Sequence, residues 1–172
     1  MTMDELIQSL KTGRVYREPL FAMTIPEGLT LEQIAQVVAK NTSYTADEFM
    51  EVVTSDAFVS KMMAKYPTLI TNEVLNEQIR YDLEGYLYPA TYPFYEESPS
   101  LETIIESMIE QLNKLVLDYS AAIEERNMTV HQFLTFASLL EEEATAQTDR
   151  ETIASVFYNR LEIGMPLQTD PT

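Results

Sequence analysis

The stretch SLETIIESMIEQLNKLVLDY, residues 100–119, decides the fold. Its apolar side chains recur at intervals of three and four as far as Ile123, and Ser100 is a typical N-cap, so it predicts one long amphipathic helix. Weaker patterns of this kind predict shorter helices at residues 3–10, 31–39, 45–53, 57–66, 129–144 and 149–163. One short strand is predicted at residues 19–25, ahead of a turn at 26–28. The sequence therefore predicts an α+β fold in which helices dominate.

Composition excludes several classes of function. The 172 residues suffice for one good core or two small ones. A net charge of −17 repels phosphate backbones and anionic lipid surfaces, which argues against nucleic-acid binding. Without cysteine there are no disulfides, thiolate metal sites or cysteine nucleophiles. No run approaches the roughly 18 apolar residues of a membrane-spanning helix, and no signal peptide is visible.

An acidic run, Glu141-Glu142-Glu143, ends one of the predicted helices. On a helical wheel Glu142 is directed away from the predicted buried face, whereas Glu141 and Glu143 flank it. That predicted face consists of Phe133, Phe136, Ala137, Leu140 and Ala144. Beside a partly apolar cleft, burial would raise the pKa of either carboxyl and make it a general acid. A solvated helix end is the more common reading of such a run, and spacing does not choose between Glu141 and Glu143.

A tyrosine-rich stretch at residues 81–93 contains two prolines, so we expect an ordered loop that leads into a short extended segment. Glu84 lies among Tyr86, Tyr88 and Tyr92, a combination that suits a sugar site, because aromatic rings stack on sugar faces. From the residues alone, a tyrosine-rich packing loop is the more common reading. The polar groups of Asn159-Arg160 and of residues 168–170 could bind ligand or satisfy the loop backbone. The one histidine, His131, is expected to be exposed and inert.

Three segments together resemble a known family. They are LEGYLYPATY at 83–92, ASLLEEEA at 137–144, and IASVFYNRL at 153–161 followed by GMPLQTDPT at 164–172. In this order they resemble the signatures of the YceG-like endolytic murein transglycosylases. The resemblance implies that residues 1–20 end a preceding N-terminal subdomain, that 21–70 form a LysM-like module, and that 71–172 form a mainly helical catalytic domain, truncated at its C-terminus. Ala90 departs from the family, which often has Asp there.

The resemblance also implies a function. Members are bacterial enzymes held in the cell membrane by a single N-terminal helix, which we expect to be missing here, with the catalytic part outside the cytoplasm. They cut peptidoglycan strands between N-acetylmuramic acid and N-acetylglucosamine and leave 1,6-anhydro ends, without metal or cofactor. Expected partners are glycan strands and cell-wall synthesis proteins. By motif position Glu143 matches the catalytic glutamate and Glu141 the other acid. Substrate binding is predicted for residues within or beside the matched segments, namely Glu84, Tyr86, Tyr88, Tyr92, Asn159, Arg160, Gln168, Thr169 and Asp170.

Two alternatives stay open at this point. One is a lysozyme-type hydrolase that acts on the same polymer, and the other is a glycan-binding scaffold without catalysis. Because the family continues beyond Thr172, we also expect the 172-residue chain to cleave little or no peptidoglycan on its own.

Overall fold

A two-stranded antiparallel sheet joins distant parts of the chain. The computed structural model describes residues 18–143, 150–163 and 165. Strand β1 (Phe21–Thr24) pairs with β2 (Thr91–Phe94), with Phe21 opposite Phe94 and Thr24 opposite Thr91. The rings of Phe21 and Phe94 stack with centroids 5.1 Å apart, and the two threonine hydroxyls are hydrogen-bonded at 2.8 Å. The predicted strand and the predicted extended segment are therefore both confirmed, and each is four residues long.

Three helices follow β1, namely α1 (Leu31–Asn41), α2 (Ala46–Val53) and α3 (Asp56–Lys65). Capping boxes begin the first two, as the sequence predicts: Thr30 pairs reciprocally with Gln33, and Thr45 with Glu48. A short 3₁₀ helix at Asn72–Leu75 leads into the tyrosine-rich loop before β2. Among the residues that the structure describes, no helix is long and apolar enough to cross a membrane.

The long helix α4 (Leu101–Asp118) begins at its N-cap Ser100, as predicted. Its buried side chains are Leu101, Ile104, Ile105, Met108, Ile109, Leu112 and Val116. The predicted continuation to Ile123 is wrong, because Tyr119, with φ −103° and ψ 5°, leaves helical geometry and a separate short helix α5 (Ser120–Glu125) follows. Ile123 is buried all the same, so the apolar spacing survives the break.

The last two helices, α6 (Val130–Glu143) and α7 (Arg150–Glu162), pack on each other through Phe136. Thr129 and Gln132 cap α6 reciprocally, as the predicted cap at Thr129 requires. The predicted buried face of α6 is only partly right: Phe136 is buried, but Ala137 is exposed. Val156 of α7, also predicted to face inward, is 44% exposed. The predicted cap at residue 149 and the helix stop at residue 164 lie outside the described residues.

One cluster of buried apolar side chains extends from Met23 to Ile123. It contains residues of β1 and α1–α3 together with residues of β2 and α4, so both the sheet and the core cross the predicted boundary at 70/71. The mainly helical α+β class is confirmed, whereas the LysM-like module and the domain boundaries stay predictions.

Candidate active site

The three candidate acids form the last turn of α6, and all of them are exposed. The one residue of α6 that is buried among the described positions, Phe136, contacts α7, with ring centroids 5.9 Å from Phe157 and 4.7 Å from Tyr158. Seven residues make about two helical turns, so Glu143 lies on nearly the same side of α6 as Phe136. Glu141, five residues after Phe136, is rotated by about 140° from it. The geometry therefore sets Glu143, but not Glu141, on the side of α6 that faces α7.

Two of the loop tyrosines are core residues. Tyr86 is 1% exposed and Tyr92 is 6% exposed, and burial raises the pKa of both phenols well above the usual value. The Tyr92 hydroxyl donates to the backbone carbonyl of Tyr88 within the same loop. Neither Tyr86 nor Tyr92 offers a free ring face on which a sugar could stack. Tyr88 is half-buried, so part of this residue stays accessible.

The Tyr86 hydroxyl lies 3.0 Å from Nδ1 of His131, in the first turn of α6, and the two rings are stacked with centroids 6.2 Å apart. The prediction that His131 is exposed is therefore wrong, since this histidine is half-buried and hydrogen-bonded, whereas its inertness stays a prediction. No local spacing could have indicated the pair, because 45 positions separate its members.

Glu84 has a protein partner rather than an open carboxylate. Its oxygens lie 3.0 and 3.3 Å from the backbone nitrogen of Leu31, so they accept a hydrogen bond from the first residue of α1. Burial raises the pKa of Glu84, and this hydrogen bond opposes the rise. The carboxylate that the sequence predicts to bind substrate thus stabilises the start of α1.

A second contact holds the beginning of the loop to α1. One carboxylate oxygen of Glu32 accepts hydrogen bonds from the Arg80 guanidinium at 2.7 Å and from the Tyr81 hydroxyl at 2.6 Å. The guanidinium also lies 4.9 Å from the centroid of the Tyr81 ring. Because these side chains are largely solvent-exposed, the ion pair adds little stability by itself. Sequence reasoning missed both Glu32 and Arg80 as partners of this loop.

The Asn159-Arg160 pair lies near the C-terminal end of α7, where Asn159 is exposed and Arg160 is half-buried. Just before it, the Tyr158 hydroxyl accepts a hydrogen bond from Nε of Arg126 at 3.0 Å, and the guanidinium lies 5.3 Å from the ring centroid. Gln168, Thr169 and Asp170 lie outside the described residues. No group of three histidine, aspartate or glutamate side chains within the described ranges is arranged to hold a metal ion.

The tyrosine-rich loop contacts the first turn of α6, whereas the three acids form the last turn of the same helix. The loop is bonded to His131 in the first turn, whereas Glu143 ends the helix twelve residues later, about 18 Å along the axis. The structure thus brings the loop together with α1 and with the start of α6. A groove shared by the loop and Glu143 stays a prediction.

Comparison of the chain with known proteins identifies its family. The model of the YceG-like family matches residues 1–172, and the chain belongs to that family. It is 45% identical over 172 residues to the endolytic murein transglycosylase of Bacillus subtilis (strain 168), covering 100% of this chain and 47% of that protein. It is 42% identical over 179 residues to the endolytic murein transglycosylase of Streptococcus pneumoniae serotype 2 (strain D39), covering 99% of this chain and 32% of that protein.

A solved structure shares the fold. The crystal structure of a YceG-like protein from Listeria monocytogenes superposes with a TM-score of 0.82 at 41% sequence identity, over 99% of this chain and 55% of that one. The chain thus spans between about a third and just over half of the length of these relatives.

Proposed function

We propose that the protein cleaves peptidoglycan glycan strands internally, as a lytic transglycosylase. The observation that carries the proposal is the match to the YceG-like family over all 172 residues, together with relatives at 42–45% identity that are named endolytic murein transglycosylases. The bond cut is the one between N-acetylmuramic acid and N-acetylglucosamine. The new end is 1,6-anhydro-muramic acid.

Glu143 is the proposed acid and base of this reaction. Its protonated carboxyl donates a proton to the glycosidic oxygen as the bond from that oxygen to C1 breaks. The C6 hydroxyl of the same muramic acid then bonds to C1, and its proton passes to the Glu143 carboxylate. The step consumes no water and restores the acid, so one carboxyl suffices where ordinary glycosidases need two. The position of Glu143 on the α7-facing side of α6 supports it over Glu141.

The proposed substrate contacts come from groups that a polymer can reach. Within the described ranges these are the accessible part of Tyr88 and the side chains of Asn159 and Arg160; part of Glu84 is accessible too, but its carboxylate accepts the N–H of Leu31. Residues 168–170 are also proposed as substrate contacts, because they lie in the family-like segment GMPLQTDPT at 164–172. Glu84, Tyr86 and Tyr92 form hydrogen bonds within the protein. They contribute to substrate binding by holding in place the loop that carries Tyr88.

The place of action follows from the substrate. Peptidoglycan lies outside the cytoplasm, so we propose that the protein works on the outer side of the cell membrane, anchored there, beside cell-wall synthesis proteins. Residues 21–70, as a LysM-like module, would position the glycan strand without taking part in the chemistry.

The test is the chemical nature of the new chain end. The longest soluble form of the protein that contains these 172 residues is incubated with purified peptidoglycan, and the products are separated and weighed by mass spectrometry. Shorter strands that end in 1,6-anhydro-muramic acid, produced by cuts within the original long strands, support the proposal. Reducing muramic ends would indicate a lysozyme-type hydrolase, and strand binding without any new end would indicate a glycan-binding scaffold.

A further inference from the structure

Two residues of the tyrosine-rich loop, separated by a single glycine, form hydrogen bonds with different helices. The Glu84 carboxylate accepts a hydrogen bond from the backbone of Leu31 at the start of α1, and the Tyr86 hydroxyl is bonded to His131 at the start of α6. Between them Gly85 has a φ of +80°, a left-handed conformation that side-chain-bearing residues rarely adopt. Glycine at this position therefore allows the neighbours on either side to bond to different helices.

We propose that Glu84-Gly85-Tyr86 is a positioning joint, in which the Tyr86–His131 contact sets the angle of α6 and thereby places the acid at its far end. This inference rests on the proposed function, because it gives Tyr86 and His131 a role in that reaction. Neither residue touches the substrate in this account. Both act through the position of Glu143.

The core packs tightly around Tyr86 and so restricts its movement. Tyr86 is 1% exposed, and its neighbours Leu83 and Leu87 are 0% and 6% exposed, so the ring cannot shift without disturbing the core. On the other side α6 is less firmly held: Val130, Phe133 and Leu134 are only partly buried against that core. The hydrogen bond and ring stacking at His131 thus supply a directional contact where apolar packing is incomplete.

The length of α6 amplifies small changes at the joint. Glu143 lies about 18 Å along the helix axis from His131, so a tilt of about 5° at the first turn moves the acid by about 1.5 Å. A misplacement of about 1 Å at a reacting group can lower a rate by about a hundredfold. Loss of this one part-buried hydrogen bond can therefore affect catalysis far more than it affects folding.

The experiment compares variants that differ by single groups. Tyr86→Phe keeps the ring and removes the hydroxyl. His131→Asn keeps an amide group, which can accept or donate a hydrogen bond, close to the position of Nδ1, whereas His131→Ala removes the polar group. Tyr95→Phe is the matched control, since Tyr95 is 49% exposed and lies outside the joint. Each variant is made in the longest soluble form, and kcat and KM for strand cleavage are measured below its unfolding temperature.

We expect Tyr86→Phe and His131→Ala to lower kcat by about tenfold to a hundredfold with KM nearly unchanged. His131→Asn should recover much of kcat, and the double variant of Tyr86→Phe with His131→Ala should be no worse than either single one. A fall in kcat of less than twofold for Tyr86→Phe would overturn the proposal. So would a loss that only follows the fraction of unfolded protein.

A second readout does not depend on activity. Residual dipolar couplings of the backbone amides, measured on the 172-residue chain, give the angle between α6 and α4, and the ring signals of His131 are unambiguous because this chain has one histidine. Tyr86→Phe should shift those ring signals and change the angle by several degrees, while Tyr95→Phe should do neither. An unchanged angle overturns the joint. Absence of anhydro product from the wild type, with the angle change present, would instead overturn the proposed function.

Discussion

The carboxylate of Glu84 accepts a hydrogen bond from the backbone N–H of Leu31, 53 positions earlier in the chain, at 3.0 Å. The first N–H groups of an α-helix have no partner within the helix. Thr30 accepts from the N–H of Gln33 in the same turn, and Glu84 accepts from that of Leu31. The loop therefore adds an acceptor to the capping of α1, and α1 in turn holds the loop.

Removal of this acceptor should destabilise the protein. We expect Glu84→Ala to lower the free energy of unfolding by about 1 kcal/mol, because the N–H of Leu31 loses its partner. Glu84→Gln keeps an oxygen acceptor and should lie within about 0.5 kcal/mol of the wild type. Urea unfolding followed by circular dichroism measures both. Equal losses in the two variants would show that the hydrogen bond is not the cause.

The same carboxyl should make stability depend on pH. Burial raises the pKa of Glu84 above its ordinary value of 4.5, aided by the charge of Glu32 and opposed by the Leu31 N–H and by Arg80. A carboxyl whose pKa is higher in the folded state favours folding when protonated. That contribution is fully present below the unfolded pKa, and it is lost as the pH rises through the folded pKa.

Glu84→Gln removes this titration and so provides the comparison. As the pH rises from about 4 towards 7, the stability of the wild type should fall relative to that of the Gln variant. Urea unfolding of both proteins at matched ionic strength over this range measures the difference. A constant difference, or one that favours the wild type as the pH rises, would contradict the prediction.

The three acids of α6 allow a comparison within a single helical turn. Glu143→Gln should lower the rate of anhydro-product formation by about 10²–10⁴-fold, because general acid catalysis is lost. Its melting temperature should be nearly unchanged, since Glu143 is exposed. Glu142→Gln is the matched control and should retain activity. A large loss in Glu141→Gln with activity kept in Glu143→Gln would move the acid to Glu141.

Local spacing predicted the parts of the fold that depend on neighbours in sequence. The capping pairs Thr30–Gln33 and Thr45–Glu48 each lie three residues apart, so both were readable directly. The pairing of β1 with β2 was not, because the register of Phe21 opposite Phe94 is fixed by contacts between distant segments. The break at Tyr119 was also hidden, because the apolar spacing continues through it.

In the candidate site, too, the sequence does not reveal properties that depend on contacts between distant segments. Residue type alone favours packing over sugar stacking for the tyrosine-rich loop, but it does not show which rings are buried, because burial is a property of the whole fold. The structure places Tyr86 and Tyr92 in the core. The predicted buried face of α6 was the average of five positions, Phe133, Phe136, Ala137, Leu140 and Ala144, whereas the contact with α7 is made at Phe136, on one side of that average. That shift is what distinguishes Glu143 from Glu141, and it required the position of α7.

A deletion tests whether the predicted module can be separated from the rest. Residues 68–172 alone lack β1 and α1–α3, so β2 loses its partner strand and buried residues such as Tyr92 and Phe94 lose cover. We expect this fragment to bind a hydrophobic dye and to melt without a cooperative transition, since the two parts share one core. Mixing it with residues 1–67 should restore helical circular dichroism and a cooperative melt, which is the control against irreversible damage. A cooperative melt of residues 68–172 alone, with the helix content that they have in the whole chain, would instead establish an independent domain and the predicted boundary near residue 70.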